Sequence, residues 1–198
     1  MEKNELTCTP AHHTLVLASA SPRRRELLTA LGLSFTVKVS DADETAPHGA
    51  GPREAAAYAA RKKAEAVAAI ADADATVLAA DTVVDLAGRA LGKPRDREDA
   101  ARMLRSLSGR THYVHTAVTV AKRNRFLSAV DTTAVSFRLL TEQEIEAYIA
   151  TGEPMDKAGA YGIQGLGGAL VEGTDGEFDT VVGLPCRLVD RLLREIEE

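Results

Sequence analysis

The sequence predicts an α/β fold in which helices flank a mixed, twisted sheet and two lobes enclose a central cleft. Three observations carry that expectation. The compact apolar run Leu15-Val16-Leu17 is followed by helix-opening residues and then by the alternating stretch Phe35-Thr36-Val37-Lys38-Val39, a strand–helix–strand order. Farther on, residues 111–121 and 126–137 read as two long antiparallel strands about the polar turn Lys122-Arg123-Asn124. Helical stretches at residues 52–71, 96–107 and 141–151, and another after Pro185, supply the flanking layers.

The chain has 198 residues, enough for one sizeable domain or a two-lobed one with a real core. Its hydrophobic content of 45% and charged content of 27% are those of an ordinary globular protein. A net charge of −5 argues against wholesale electrostatic binding to nucleic acid. No apolar run approaches the ~20 residues that a membrane span needs. Residues 1–13 are polar and lack the apolar core of a signal peptide. Cys8 and Cys186 lie far apart and form no disulfide framework, so free thiols and a cytoplasmic location are expected.

The first strand leads into Ser19-Ala20-Ser21-Pro22-Arg23-Arg24-Arg25. Ser21 suits an N-cap, and Pro22 suits the first helical position, where no intrahelical N–H bond is lost. Free backbone N–H groups and the positive end of the helix dipole then meet three arginines, which makes an anion site. The helix should run to Leu31, with Leu27, Leu28 and Leu31 on its apolar side and Gly32 as a left-handed terminator. After the strand at 35–39 comes the acidic loop Ser40-Asp41-Ala42-Asp43-Glu44-Thr45, which suits either turn chemistry or a divalent cation.

Gly51-Pro52 opens a long alanine-rich helix whose buried side should include Tyr58, Val67 and Ile70, with Arg61, Lys62 and Lys63 crowding one turn. The strand at 76–84 carries Asp81 and Thr82 within a hydrophobic run. A carboxylate there needs a partner, whether a metal, a phosphate-bound cation or a lysine. Ala87-Gly88 reads as a turn, and Lys93 stands in the bracketed loop Gly92-Lys93-Pro94. His112 and His115 are three apart in a strand, so they point to opposite faces and serve as structural or surface groups. Thr141 and Glu144 have capping-box spacing.

Residues 151–168 hold five glycines between Gly159 and Gly168 and show little periodicity. Long irregular loops in compact domains are usually functional. Lys157, Tyr161 and Gln164 offer a charge, a stacking face and a hydrogen-bonding amide, the groups that recognise a base and its phosphates. Strands are expected at 169–171 and 178–182.

Taken together, SASPRR, AADTVV, GKPRD, GEPMDKAGAYGIQGLGG and VVGLP, in that order, resemble the Maf family of nucleoside triphosphate pyrophosphatases. The resemblance runs from Leu15 to about Leu193. It implies a Maf/inosine-triphosphatase-like architecture with a nucleotide-binding cleft, and cleavage between the α- and β-phosphates with a divalent cation, magnesium or manganese. It further implies a role in removing unwanted nucleotides. The segment 155–165 resembles the branch acting on dTTP and UTP rather than the one acting on 7-methyl-GTP. By resemblance, residues 14–198 form a single catalytic domain, and the chain pairs as a homodimer.

The resemblance also implies roles for particular residues. Asp81 is the proton acceptor, and Arg24, Thr82 and Gln164 govern substrate choice. Ser21, Arg23, Lys63, Lys93 and Lys157 would line the phosphates, and Glu44 with Asp81 would hold the metal. Asp81 is a candidate both for taking the proton of the attacking water and for ligating the cation. A side-chain amide such as Gln164 can read the paired carbonyl and N–H edge of uracil or thymine. Other readings compete with this one: a 7-methyl-GTP or an inosine or xanthosine triphosphate pyrophosphatase, and a nucleotide-binding regulator of cell division. The lack of a Gly-x-x-x-x-Gly-Lys-Ser/Thr loop argues against a P-loop NTPase.

Overall fold

Strand β1 (Leu15–Leu17) is buried along its whole length, as a compact apolar run between two covering layers requires. The computed structural model describes residues 14–198; the expected N-terminal extension, with Cys8, lies outside the described residues. β1 pairs in parallel with β2 (Phe35–Val37) on one side and with β3 (Thr76–Leu86) on the other. β3 then turns back through Ala87 and Gly88, both at positive φ, to pair with the short β4 (Arg89–Leu91). Next to β3 the sheet becomes antiparallel, through β5 (Thr111–Lys122), β6 (Arg125–Phe137) and β7 (Val171–Asp175). The order is β2-β1-β3-β5-β6-β7, so the mixed sheet is as expected.

Two cores share one face of this sheet. In the first, α1 (Pro22–Ala30) and α6 (Cys186–Glu195) bring Leu28, Leu188 and Leu192 against Leu78, Ala80, Val118 and Val120. In the second, α3 (Arg97–Leu107) and α4 (Glu142–Ala150) bring Leu104, Leu107 and Ile145 against Val84, Val114 and Phe137. The register explains the division. Ala80 pairs with Val118, Thr82 with Thr116, and Val84 with Val114, so a threonine pair forms the step between the cores. On the opposite face α2 (Pro52–Ala68) packs Ala64 and Val67 on Val16, Val77 and Ala79, and Ala56 and Ala60 on Ala117.

One edge of β3 is interrupted. β1 pairs only with residues 76–78 and β4 only with residues 84–86, so residues 79–83 have no strand partner on that side among the described residues. Ligands of open α/β sheets gather beyond the carboxyl ends of strands. Here the gap follows the end of β1 and exposes both faces of β3.

Several expectations need correction. Ile70 is 63% exposed, because α2 ends at Ala68; its buried side is built from alanines and Val67, which let the helix lie close to the sheet. β2 stops at Val37, two residues short, and Val39 is exposed. The strand expected at 169–171 is the end of a 3₁₀ turn, Leu166–Leu170, followed by β7. The strand expected at 178–182 is the helix α5 (Phe178–Val182), closed by left-handed Gly183. Five residues are too few for apolar periodicity to separate helix from strand. The capping box of Thr141 and Glu144 and the left-handed Gly32 are present as expected. Among the described residues no helix is long and apolar enough to cross a membrane.

His112 and His115 do point to opposite faces. His115 bonds Thr132 Oγ1 at 2.8 Å and Asp85 Oδ2 at 3.2 Å. His112 is buried beside Phe137, with Nε2 2.8 Å from the Tyr161 hydroxyl. Burial pulls the His112 imidazole down from 6.5 to about 4. The unfolded chain therefore takes up this proton near pH 6.5, while the folded protein refuses it until about pH 4. The stabilisation is complete above pH 6.5 and drains away as pH falls through that window, by roughly 3 kcal/mol. Urea unfolding at pH 7 and pH 4.5 should show the wild type losing about 2–3 kcal/mol more than His112→Asn.

Candidate active site

A cleft of about 790 Å³ opens at the gap in the β3 edge. Ser21, Arg23 and Arg24 reach it from the start of α1, Glu44 from the acidic loop, and Lys63 from α2. Asp81 and Thr82 come from β3, Lys93 from the loop after β4, and Lys157 and Gln164 from the glycine-rich loop. The fold thus gathers around one cavity the ten residues to which the family resemblance gives a site role, while Arg25, His112 and His115 do not line it.

The wall on the α1 side is a network of fixed donors. Ser21 caps α1, its hydroxyl accepting from Arg24 N at 3.5 Å, and Pro22 takes the first helical position. The Arg24 guanidinium is held at three points: Nε donates to Gly183 O at 2.8 Å, Nη1 to Ser19 Oγ at 3.1 Å, and Nη2 to Thr82 Oγ1 at 3.1 Å. Burial, and secondarily Arg23, pull its pKa below the usual guanidinium value, with Asp81 and Glu44 opposing.

On the other face of β3, Lys63 bridges two carboxylates. Its Nζ lies 2.7 Å from Asp81 Oδ1 and 2.9 Å from Glu44 Oε2. Asp81 and Thr82 are consecutive strand residues and so must diverge to opposite faces. Asp81 meets α2, and Thr82 meets α1. The acidic loop divides its labour: Asp43 serves plain turn chemistry, accepting from Thr45 N at 2.9 Å, while Glu44 turns to Lys63.

The remaining cations differ in freedom. Lys93 is exposed and makes no ion pair with a described residue. Arg23 lies 3.9 Å from Asp156, and Lys157 Nζ is tied to Glu153 O and Asp156 Oδ1, each at 2.7 Å. Gln164 is exposed at the rim. Tyr161, expected to offer a stacking face, is only 5% exposed; it packs edge-on to Phe137 and anchors its loop through His112.

Glu153 is the residue that sequence reading missed. Its carboxylate accepts from Tyr148 Oη at 2.9 Å, Leu166 N at 3.0 Å and Gly167 N at 3.1 Å, and so pins the glycine-rich loop. A Cβ on Gly165 would stand 2.5 Å from that carboxylate, so the glycine permits the approach. The only sequence signal was the place of Glu153 in the GEPMDK stretch. Ser19 and Gly183 lie in the SASPRR and VVGLP stretches, and nothing local in those stretches signals their contacts with Arg24.

Gly183 sits at φ +119°, and a Cβ there would lie 3.2 Å from Thr82 Oγ1 and 3.7 Å from Arg24 Nε. Gly183→Ala should destabilise the protein by about 1–2 kcal/mol through backbone strain. It should also lower kcat/KM by more than the folded fraction explains, read by thermal melting and steady-state assay on one preparation.

The family described as Maf-like protein matches residues 14–196. A protein of Moorella thermoacetica named dTTP/UTP pyrophosphatase is 55% identical over 181 residues, covering 90% of this chain and 93% of its own. Proteins of the same name from Bacillus velezensis and Escherichia coli are each 50% identical, covering 91% and 87% of this chain and 95% and 87% of theirs. Among solved structures, the Staphylococcus aureus Ham1 protein matches in fold with a TM-score of 0.53 at 15% identity, over 93% of this chain and 100% of that one. A family match across residues 14–196, with relatives at half identity over nearly their full length, means that this chain belongs to the Maf family.

Proposed function

We propose that the protein hydrolyses dTTP and UTP to the nucleoside monophosphate and pyrophosphate, as the names of its relatives state for them. The observation that carries the reading is the Glu44–Lys63–Asp81 cluster facing the N-terminal end of α1 across one cleft. A triphosphate carries about four negative charges, which must be balanced at the reacting centre. In this reading the first-turn N–H groups of α1, with Ser21, Arg23 and Lys93, hold the phosphates, and Lys157, which lines the same cavity, adds its charge. Arg24, Thr82 and Gln164 are assigned to choice of nucleotide. A homodimer in the cytoplasm is part of the same proposal, on the family resemblance.

Within the cluster, Asp81 Oδ1 is engaged by Lys63, while Oδ2 takes no hydrogen bond from a described residue. We assign Oδ2 as the acceptor of the proton from the attacking water. Lys63 holds the carboxylate oriented, and Glu44 balances Lys63 from the other side. Attack on the α-phosphorus expels pyrophosphate toward the α1 wall, where Arg23 and Lys93 meet its charge.

The cluster carries one positive and two negative charges, so a triphosphate entering beside it calls for a further cation. Glu44 and Asp81 each give one oxygen to Lys63 Nζ, which brings two hard carboxylate donors side by side, and no group of three or more His, Cys, Asp or Glu side chains suited to a metal occurs among the described residues. That donor set fits magnesium or manganese held by one or two carboxylates and completed by substrate phosphates. When bound, such an ion would supply charge neutralisation at the scissile phosphate.

A nucleotide panel with magnesium, assayed separately for pyrophosphate and orthophosphate, tests the reading. UTP and dTTP should be turned over fastest with pyrophosphate as product; orthophosphate would overturn the assigned cleavage. Asp81→Asn should lower kcat by about a thousandfold, the scale of a lost general base. Near-normal turnover in that variant would remove Asp81 from the chemistry.

A further inference from the structure

We infer that Thr116, a buried residue outside the cleft, is a positioning residue that makes Thr82 present a lone pair to the substrate and never a proton. The inference rests on the pyrimidine triphosphate reading above. Thr116 Oγ1 donates to Thr180 O at 2.7 Å, and a carbonyl can only accept. A hydroxyl has one proton, so the 3.0 Å contact between Thr116 and Thr82 must use the proton of Thr82. Arg24 has donors only, so its 3.1 Å contact fills one lone pair of Thr82 Oγ1. The direction of the chain is therefore set from end to end: Arg24 gives to Thr82, Thr82 to Thr116, and Thr116 to the backbone of α5.

What remains on Thr82 is a single accepting lone pair. Arg24 has five N–H groups and spends three on Gly183, Ser19 and Thr82, leaving two. The pair thus offers donor beside acceptor on one wall of the cleft. Ionised phosphate oxygens only accept, so Thr82 is mismatched to the triphosphate. The pattern matches the imide edge of uracil and thymine, where a carbonyl accepts and the adjacent N3–H donates. Cytosine presents the reverse pair, an accepting N3 beside a donating amino group. Thr116 thereby sets base preference without touching the base.

The test compares kcat/KM for UTP and CTP, which share sugar and phosphates, in wild type, Thr116→Val and Thr116→Ser. Valine removes the acceptor of the Thr82 proton while keeping the shape, and serine keeps the hydroxyl order. The UTP:CTP ratio should fall by about tenfold in Thr116→Val, the scale of one buried hydrogen bond. It should stay within about twofold of wild type in Thr116→Ser. A ratio within one preparation does not depend on the folded fraction, and Thr116→Ala carries the same expectation if the valine variant fails to accumulate. An unchanged ratio in the valine or alanine variant overturns the inference, as does an equal fall in serine. A wild type inert on UTP overturns the pyrimidine reading and the inference together, whereas an active wild type with an unmoved ratio overturns the inference alone.

Discussion

The structure depends on one continuous pairing, the antiparallel ladder of β3 and β5 that runs through both cores. Along a single face the ladder buries Leu78, Ala80, Val118 and Val120 in one core and Val84 and Val114 in the other. The step between them borders the cleft, and polar groups carried there need partners. A cross-strand threonine pair meets that need, with each hydroxyl supplied with a partner by its neighbours. The unpaired stretch of the β3 edge at the same level lets the cavity reach the strand from the side.

From that step the alternation of a strand distributes the chemistry. Asp81 is sent toward α2 and Thr82 toward α1, so one dipeptide serves two walls. The α2 wall is electrostatic: the alanines of that helix bring it close to the sheet, and Lys63 emerges between two carboxylates. The α1 wall is built from directional hydrogen bonds, with Arg24 clamped by Ser19, Thr82 and the carbonyl of Gly183. In the proposed reaction the first wall serves proton transfer, and the second joins phosphate binding at the start of α1 to recognition by the fixed donors and acceptors of Arg24 and Thr82.

The glycine-rich loop closes the cleft on its third side and owes its order to polar anchors rather than to regular structure. Glu153 gathers two backbone N–H groups and the Tyr148 hydroxyl, Lys157 ties back to Glu153 O, and Tyr161 is locked to His112 beneath. Gly159 N adds a bond to Gly92 O, which links this loop to the one that carries Lys93. Few side chains of the loop are left free at the rim, and Gln164 is among them.

Much of this was legible in the chain itself. Local rules sufficed for the capped start of α1, the capping box of α4, the β5–β6 hairpin and the α/β class, because caps, turns and alternation act over a few residues. The anion corner at Ser21 and the anomalous carboxylate at Asp81 were visible as residue types out of keeping with their surroundings. The short helix α5 and the 3₁₀ turn before β7 were not, since five residues carry no readable period. Nor could the sequence say that Lys63, rather than another lysine, would meet Asp81, or that Tyr161 would turn inward. The sequence by itself determined which local structures form and which chemical groups are present. Only the tertiary structure decided the partners: Arg24 with a carbonyl 159 residues away, Thr116 with one 64 away, and Glu44 with Lys63. Local conformation follows from short-range sterics and hydrogen bonding, whereas these pairings exist only after two cores have packed on one shared ladder and left the step between them polar.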